Sequence, residues 1–249
     1  MNRVRHSRIR IGEWLFRHRG VLPLALAPLY LWALRSVEMS ERHGNEQLEF
    51  TYQLTGMMIA LLGLGIRALV TGTAPRGTSG RNTSCHEALV LNTSGVYSVV
   101  RHPLYTANYL VLLGCTVFSG SWWLPLATTV LFWPYYLWII YAEEQFLLRN
   151  FGNAYTEWAK RTPAFFPCPR HWHPAGMAFS WKMVLRREYD ALLLIGVLCG
   201  LSEVVGDLFF DPIPSFELGW ALVLLACVVT ALVLRTIKHR TVWLRVEDR

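Results

Sequence analysis

This chain reads as an all-α protein, a polytopic membrane bundle of about six spans, and three observations carry that reading. From Pro103 to Ala142, 40 residues pass without an Asp, Glu, Lys, Arg or His. Soluble folds have no use for such a run, whereas lipid-facing helices do. Charged residues make up only 16% of the chain against 53% hydrophobic, below the roughly 25% charge usual for soluble domains. The charges that remain bunch between apolar segments, with basic groups alternating with acidic or neutral ones along the chain.

The elements follow in order. Residues 1–20 carry six Arg and one Glu, net +5, and precede a first span at 21–34. An Arg-bearing N-terminus before an apolar run resembles a signal peptide, but no small-residue cleavage site follows it, so the span is expected to be retained. Residues 35–49 set Arg35 and Arg42 against Glu38, Glu41, Glu46 and Glu49, net −2. The second span is expected at 50–70. The loop after it is rich in Gly, Ser, Thr and Asn, and 72–101 is net +2. Two spans, 103–118 and 122–142, are split by Ser119-Gly120-Ser121, a turn of small residues that predicts an antiparallel helical hairpin. After it, AEEQFLLRNFGNAYTEWAKR predicts a continuation out of the membrane as an amphipathic helix, with a break at Phe151-Gly152. Residues 143–190 are net +2, spans five and six are expected at 191–210 and 218–234, and the tail from 235 is net +3. Basic loops face the cytoplasm. Both termini and the loops 72–101 and 143–190 are therefore expected there, in a bacterial inner membrane.

The net charge of +7 is spread over loops that flank spans. It points to anionic lipid headgroups and not to nucleic acid. The cysteines at 85, 115, 168, 199 and 227 form no CxxC pair and predict no disulfide framework. Sequons at Asn82 and Asn92 fall in a cytoplasmic loop, where glycosylation is not expected. Cys168-Pro-Arg-His171-Trp-His173 has ligand types for Zn²⁺, but three residues so close read as an interfacial loop, and no metal is expected. No signature of an oligomeric state is present.

Chemistry concentrates at the mouth of the hairpin. Pro103 suits the first turn of a helix. Arg101 and His102 beside that N-terminus can snorkel to lipid phosphate, or seat a carboxylate. Glu143 and Glu144 end the other arm, and a hairpin returns its chain to the same side. The acidic pair and Arg101/His102 should be neighbours, either as a structural salt bridge or around a ligand with positive charge and hydroxyls. Within the spans, Arg67 is expected to snorkel to the cytoplasmic surface, Glu203 to face the bundle, and Asp207 to lie near the outer end. Trp122, Trp123, Trp133 and Trp138 read as an interface belt.

The combination resembles a known family. Gly95, Tyr97, Arg101, His102, Pro103 and Tyr105, then the hairpin, then Glu143, Glu144, Leu147, Phe151, Gly152, Tyr155 and Pro163 are similar to the core of the isoprenylcysteine carboxyl methyltransferase and phospholipid methyltransferase superfamily. The similarity covers about residues 92–167. It implies an integral-membrane enzyme that uses S-adenosylmethionine, with Gly95, Tyr97, Arg101, His102, Pro103, Tyr105, Glu143 and Glu144 around the cofactor. Of these, Arg101 and Glu144 are the expected catalytic pair. The acceptor implied is a lipid or amphiphile that arrives from the bilayer and is methylated on oxygen or nitrogen. Three regions follow: 1–91, with two spans and a loop; 92–167, the methyltransferase core; and 168–249, an extension with two spans. Ala107 stands where relatives usually have Gly. Trp138-Ile-Ile-Tyr141 is uncharged where the eukaryotic carboxyl methyltransferases carry a basic residue, which points away from an isoprenylcysteine carboxylate.

Arg76 and Arg81, among hydroxyl and amide residues leading into the cofactor segment, are expected to hold an anionic acceptor headgroup. The alternatives are an NADPH-dependent reductase of sterol-reductase type, which carries a similar Arg-His-Pro segment, and a non-catalytic lipid-binding protein of the same fold. The acidic pair speaks against the latter.

Overall fold

The computed structural model describes residues 2–40, 46–75, 88–210, 218–244 and 246. Eight α-helices run through them: α1 (Asn2–Arg17), α2 (Ala27–Ser40), α3 (Glu46–Thr73), α4 (Pro103–Phe118), α5 (Leu124–Phe151), α6 (Asn153–Arg161), α7 (Trp181–Phe210) and α8 (Leu218–Arg240). Short 3₁₀ turns lie at Leu22–Leu26, Val96–Ser98 and Pro169–His171, and no strand forms among the described residues.

Among the described residues, three helices are long and apolar enough to cross a bilayer: Gln47–Thr73, Leu124–Phe151 and Leu218–Arg240, of 27, 28 and 23 residues. At 1.5 Å per residue these reach roughly 35–42 Å, beyond the ~30 Å of hydrocarbon. Pro103–Phe118 is apolar but shorter, about 24 Å.

Small residues decide how α3 meets α4. A Cβ added at Gly56 would stand 2.4 Å from the Phe118 nitrogen, one at Gly63 2.7 Å from the Ala107 oxygen, and one at Gly114 2.4 Å from the Ala60 nitrogen. The two backbones therefore touch along Gly56, Ala60 and Gly63, the close approach that small residues allow in membranes. Ala107 is fully buried in this seam. Ile195 and Cys199 of α7 join Ala60, Val111, Cys115 and Phe118 in one core cluster.

The hairpin closes through Ser119, buried, and Gly120 at φ 74°, with α5 starting at Leu124. α5 runs on to Phe151, Gly152 breaks it at φ 50°, and α6 follows with Tyr155 buried and Glu157 exposed. The basic N-terminal segment proves to be a helix. α1 packs along α5, with Gly12 against the Trp138 carbonyl and Ala142, and Phe16 in a cluster with Phe132, Tyr136, Ile139 and Ile140.

Candidate active site

The site is built where α4 begins. Pro103 takes the first helical position and His102 the cap, so α4 starts abruptly after an irregular strand of chain. That chain, 95–102, is tied by its backbone to 163–173. The Arg101 N–H donates to the Pro163 carbonyl (2.9 Å), His102 N–H to Ala164 (3.2 Å), Cys168 N–H to Val99 (2.9 Å) and Gly95 N–H to His173 (2.9 Å). Buried Ser98 adds a bridge: its hydroxyl donates to the Gly95 carbonyl (2.7 Å) and accepts from the His173 N–H (2.9 Å). The Trp158 indole of α6 donates to the Tyr97 carbonyl at 3.1 Å. The Cys168–His173 segment thus backs the cap through main-chain hydrogen bonds. Among the described residues no group of three or more His, Cys, Asp or Glu is arranged to hold a metal ion.

Across this cap α5 delivers its acidic pair. His102 Nε2 donates to Glu144 Oε1 at 3.1 Å, since a carboxylate can only accept. Arg101 Nη1 lies 3.4 Å from the same oxygen, and His102 Nδ1 lies 3.8 Å from Glu143 Oε2. The Tyr105 hydroxyl donates to Glu143 Oε2 at 2.8 Å. His102 is 5% exposed, while the Arg101, Glu143 and Glu144 side chains keep 19%, 30% and 25% of their surface accessible. The neighbourhood expected from the hairpin is therefore present, as an ion cluster that remains open to a ligand.

Two buried polar atoms of this site lack full partners. Arg101 Nε makes no hydrogen bond among the described residues. The Tyr155 hydroxyl faces the Glu144 carboxylate without reaching hydrogen-bond geometry. Burial, and then the Glu144 charge, push that hydroxyl above the ordinary tyrosine range. Burial followed by the Glu143 charge does the same to Tyr97. Both phenols stay neutral and offer a ring face or a proton donor. An orphaned guanidinium nitrogen beside two accessible carboxylates fits a ligand that bears both an ammonium and a carboxylate, as S-adenosylmethionine does.

Some residues fall elsewhere. Arg76 and Arg81 lie outside the described residues, as does Asn82, and the Asp207 side chain is likewise undescribed. Glu203 is buried and accepts from Gln53 Nε2 at 3.1 Å, facing the bundle as expected. Arg67 does not snorkel. Its Nε donates to Glu188 Oε2 of α7 at 2.6 Å, and its Nη1 donates to Asn108 Oδ1 of α4. Sequence reasoning missed Asn108 and Glu188. Asn108 stood in view, a carboxamide inside the apolar run of α4; Glu188 had no local signal.

A helical membrane protein with paired acids and an Arg-His-Pro cap at one hairpin mouth defines a class, and comparison places the chain within it. Residues 53–154 match the phospholipid methyltransferase family. The match begins in α3, well before the stretch that carries the sequence resemblance. The nickel-cobalt-cadmium resistance protein NccN of Alcaligenes xylosoxydans xylosoxydans is 34% identical over 157 residues, covering 63% of this chain and 68% of that protein. The cobalt-zinc-cadmium resistance protein CzcN of Cupriavidus metallidurans is 36% identical over 161 residues, 65% of each. The protein-S-isoprenylcysteine O-methyltransferase of Schizosaccharomyces pombe is 31% identical over 78 residues, 31% of this chain and 33% of the yeast protein. No solved structure matches. The chain belongs to the isoprenylcysteine carboxyl methyltransferase and phospholipid methyltransferase superfamily.

Proposed function

We propose that the chain transfers a methyl group from S-adenosylmethionine to an oxygen or nitrogen of a lipid or amphiphilic acceptor. The observation that carries this reading is the ion cluster of Arg101, His102, Glu143 and Glu144 at 3.1–3.8 Å, with the Arg101 Nε orphaned inside it. When bound, the cofactor supplies an electrophilic methyl on a sulfonium. Arg101 and His102 hold its carboxylate, and Glu143 and Glu144 hold its ammonium and ribose hydroxyls. Tyr97 and Tyr105 present ring faces to the cation, and Gly95 and Pro103 shape the backbone beneath. Positioning carries the catalysis, since the transfer is an in-line displacement. Glu144, or solvent, would take the proton that the acceptor gives up as it is methylated.

The bundle completes about six crossings when α4 and the apolar stretches 21–34 and 191–210 are counted with the three long helices. Charge alternation sets the cap on the cytoplasmic side. A cysteine introduced at Ser94 should resist an impermeant thiol reagent in intact cells and react after lysis; labelling from outside would overturn the sidedness.

The cofactor reading is tested by calorimetry with S-adenosylhomocysteine. His102→Ala and Glu144→Ala should each weaken binding by ~1.5–3 kcal/mol, the loss of a hydrogen bond to a charged group. Unchanged affinity in both folded variants would sink the assignment, and heat on titration with NADPH in its place would favour a reductase. Lipid mass spectrometry of cells with and without the chain, searching for the mass of one added methylene, identifies the acceptor. Two relatives are named for metal resistance, so cells grown in cobalt or cadmium are the first to examine.

A further inference from the structure

The extension beyond the family match is not merely appended to the core. Its helix α7 drives a carboxylate, Glu188, into the bundle, where it is 4% exposed. Glu188 accepts from Arg67 Nε, and Arg67 Nη1 donates to Asn108 Oδ1. An arginine can only donate, so it fixes which way the Asn108 carboxamide points and leaves the amide nitrogen as a donor. The Tyr136 hydroxyl also faces the Asn108 carboxamide, without a hydrogen bond of full geometry. The Tyr136 ring packs against Tyr105 at 5.1 Å between centroids, and Tyr105 donates to Glu143. Glu143 stands seven residues after Tyr136, two turns along the same face of α5. A line of neighbouring groups thus leads from α7, through α3 and α4, to a carboxylate of the site.

A structural clamp does not need charge here. Buried ion pairs replaced by apolar residues of like volume often leave stability unchanged or improved, and ionisable groups within a membrane bundle are expensive. Apolar packing could not, however, orient an amide. We propose that Glu188 is a positioning residue of the site. Through Arg67 and Asn108 it fixes Tyr136, and with it Tyr105, in the place from which Tyr105 donates to Glu143. Its effect on cofactor affinity rests on the methyltransferase reading above; the line of contacts does not.

The test is a double-mutant cycle of Glu188→Gln with Tyr105→Phe in the full chain, read by S-adenosylhomocysteine calorimetry, with thermal unfolding as the check on folding. Each single variant should weaken binding roughly threefold to tenfold, the loss of one hydrogen bond. The double variant should be little worse than the weaker single, because both cut the same line. Unchanged affinity in folded Glu188→Gln, or effects that multiply, would overturn the proposal. If Glu188→Gln does not fold, Asn108→Leu takes its place in the cycle with the same two outcomes. If the wild-type chain binds no S-adenosylhomocysteine, the proposed function fails and the positioning role is decided without ligand. Glu188→Gln, or Asn108→Leu where it does not fold, must then change the ultraviolet difference spectrum of the tyrosines, and the change must vanish in a Tyr136→Phe background. No change, or one that persists there, overturns it.

Discussion

The α3–α4 seam and the cap above it are held by opposite means. Along the seam, Gly56, Ala60, Gly63 and Gly114 bring backbone against backbone, and neighbouring side chains such as Val111 and Phe118 are buried and apolar. In the cap, chain 95–102 hangs on 163–173 by main-chain hydrogen bonds, and Arg101 and His102 stand 3.1–3.8 Å from Glu143 and Glu144, with part of the Arg101, Glu143 and Glu144 surface accessible. Close packing is short-ranged and unforgiving; a partly accessible polar cluster and loop hydrogen bonds can trade partners with a ligand. The seam therefore fixes the depth at which α4 starts, and the cap is the less closely packed of the two regions.

The hardest way to break that contrast is to add one carbon to the seam. In Gly114→Ala the new Cβ would stand 2.4 Å from the Ala60 nitrogen and 2.5 Å from the Gly56 oxygen, both backbone. Neither can rotate away, so α3 and α4 must part. The expected cost is about 3 kcal/mol or more, the upper range for overpacking, read as loss of the monodisperse peak in detergent gel filtration. Gly65→Ala on α3 is the control, because a Cβ there meets nothing within 4 Å. It should be neutral or stabilise by roughly 0.5–1 kcal/mol. Equal damage from both would show that the seam is not packed as described.

Much of the site was legible because its logic is local. A small-residue turn between two apolar runs forces Arg101-His102 and Glu143-Glu144 to one end, and the structure brings His102 within 3.1 Å of Glu144. Gly152 announced the end of α5 by being the residue that tolerates φ 50°. What was not legible depends on distance in sequence. Arg67 and Glu188 are 121 residues apart, and nothing near Arg67 foretells a partner on α7. The α1 helix was hidden by its own charge. Six arginines mark residues 1–20 as a basic flank of the first span, although Gly12 and Phe16, spaced one turn apart, mark the face that α5 buries. The pairing of 95–102 with 163–173 has no periodicity to betray it, since neither segment is regular.

A gentler change sharpens the comparison from the cap side. Gly95 holds φ 60° and ψ −133°, a conformation that L side chains rarely adopt. An added Cβ would lie 3.1 Å from the Ala175 Cβ, with 3.6 Å to its Cα. Gly95→Ala should therefore cost about 1–3 kcal/mol through backbone strain, with only a small steric part. Because Ser98 and His173 both lean on Gly95, the strain passes into the turn that carries Arg101, and S-adenosylhomocysteine affinity should fall with it. Adding Ala175→Gly removes the contact and leaves the φ untouched. If the cap adapts as its bonding suggests, that second change restores little, because strain and not crowding is the cause. Full recovery of both thermal stability and affinity would mean instead that the cap is close-packed like the seam, and the contrast between the two regions would fall.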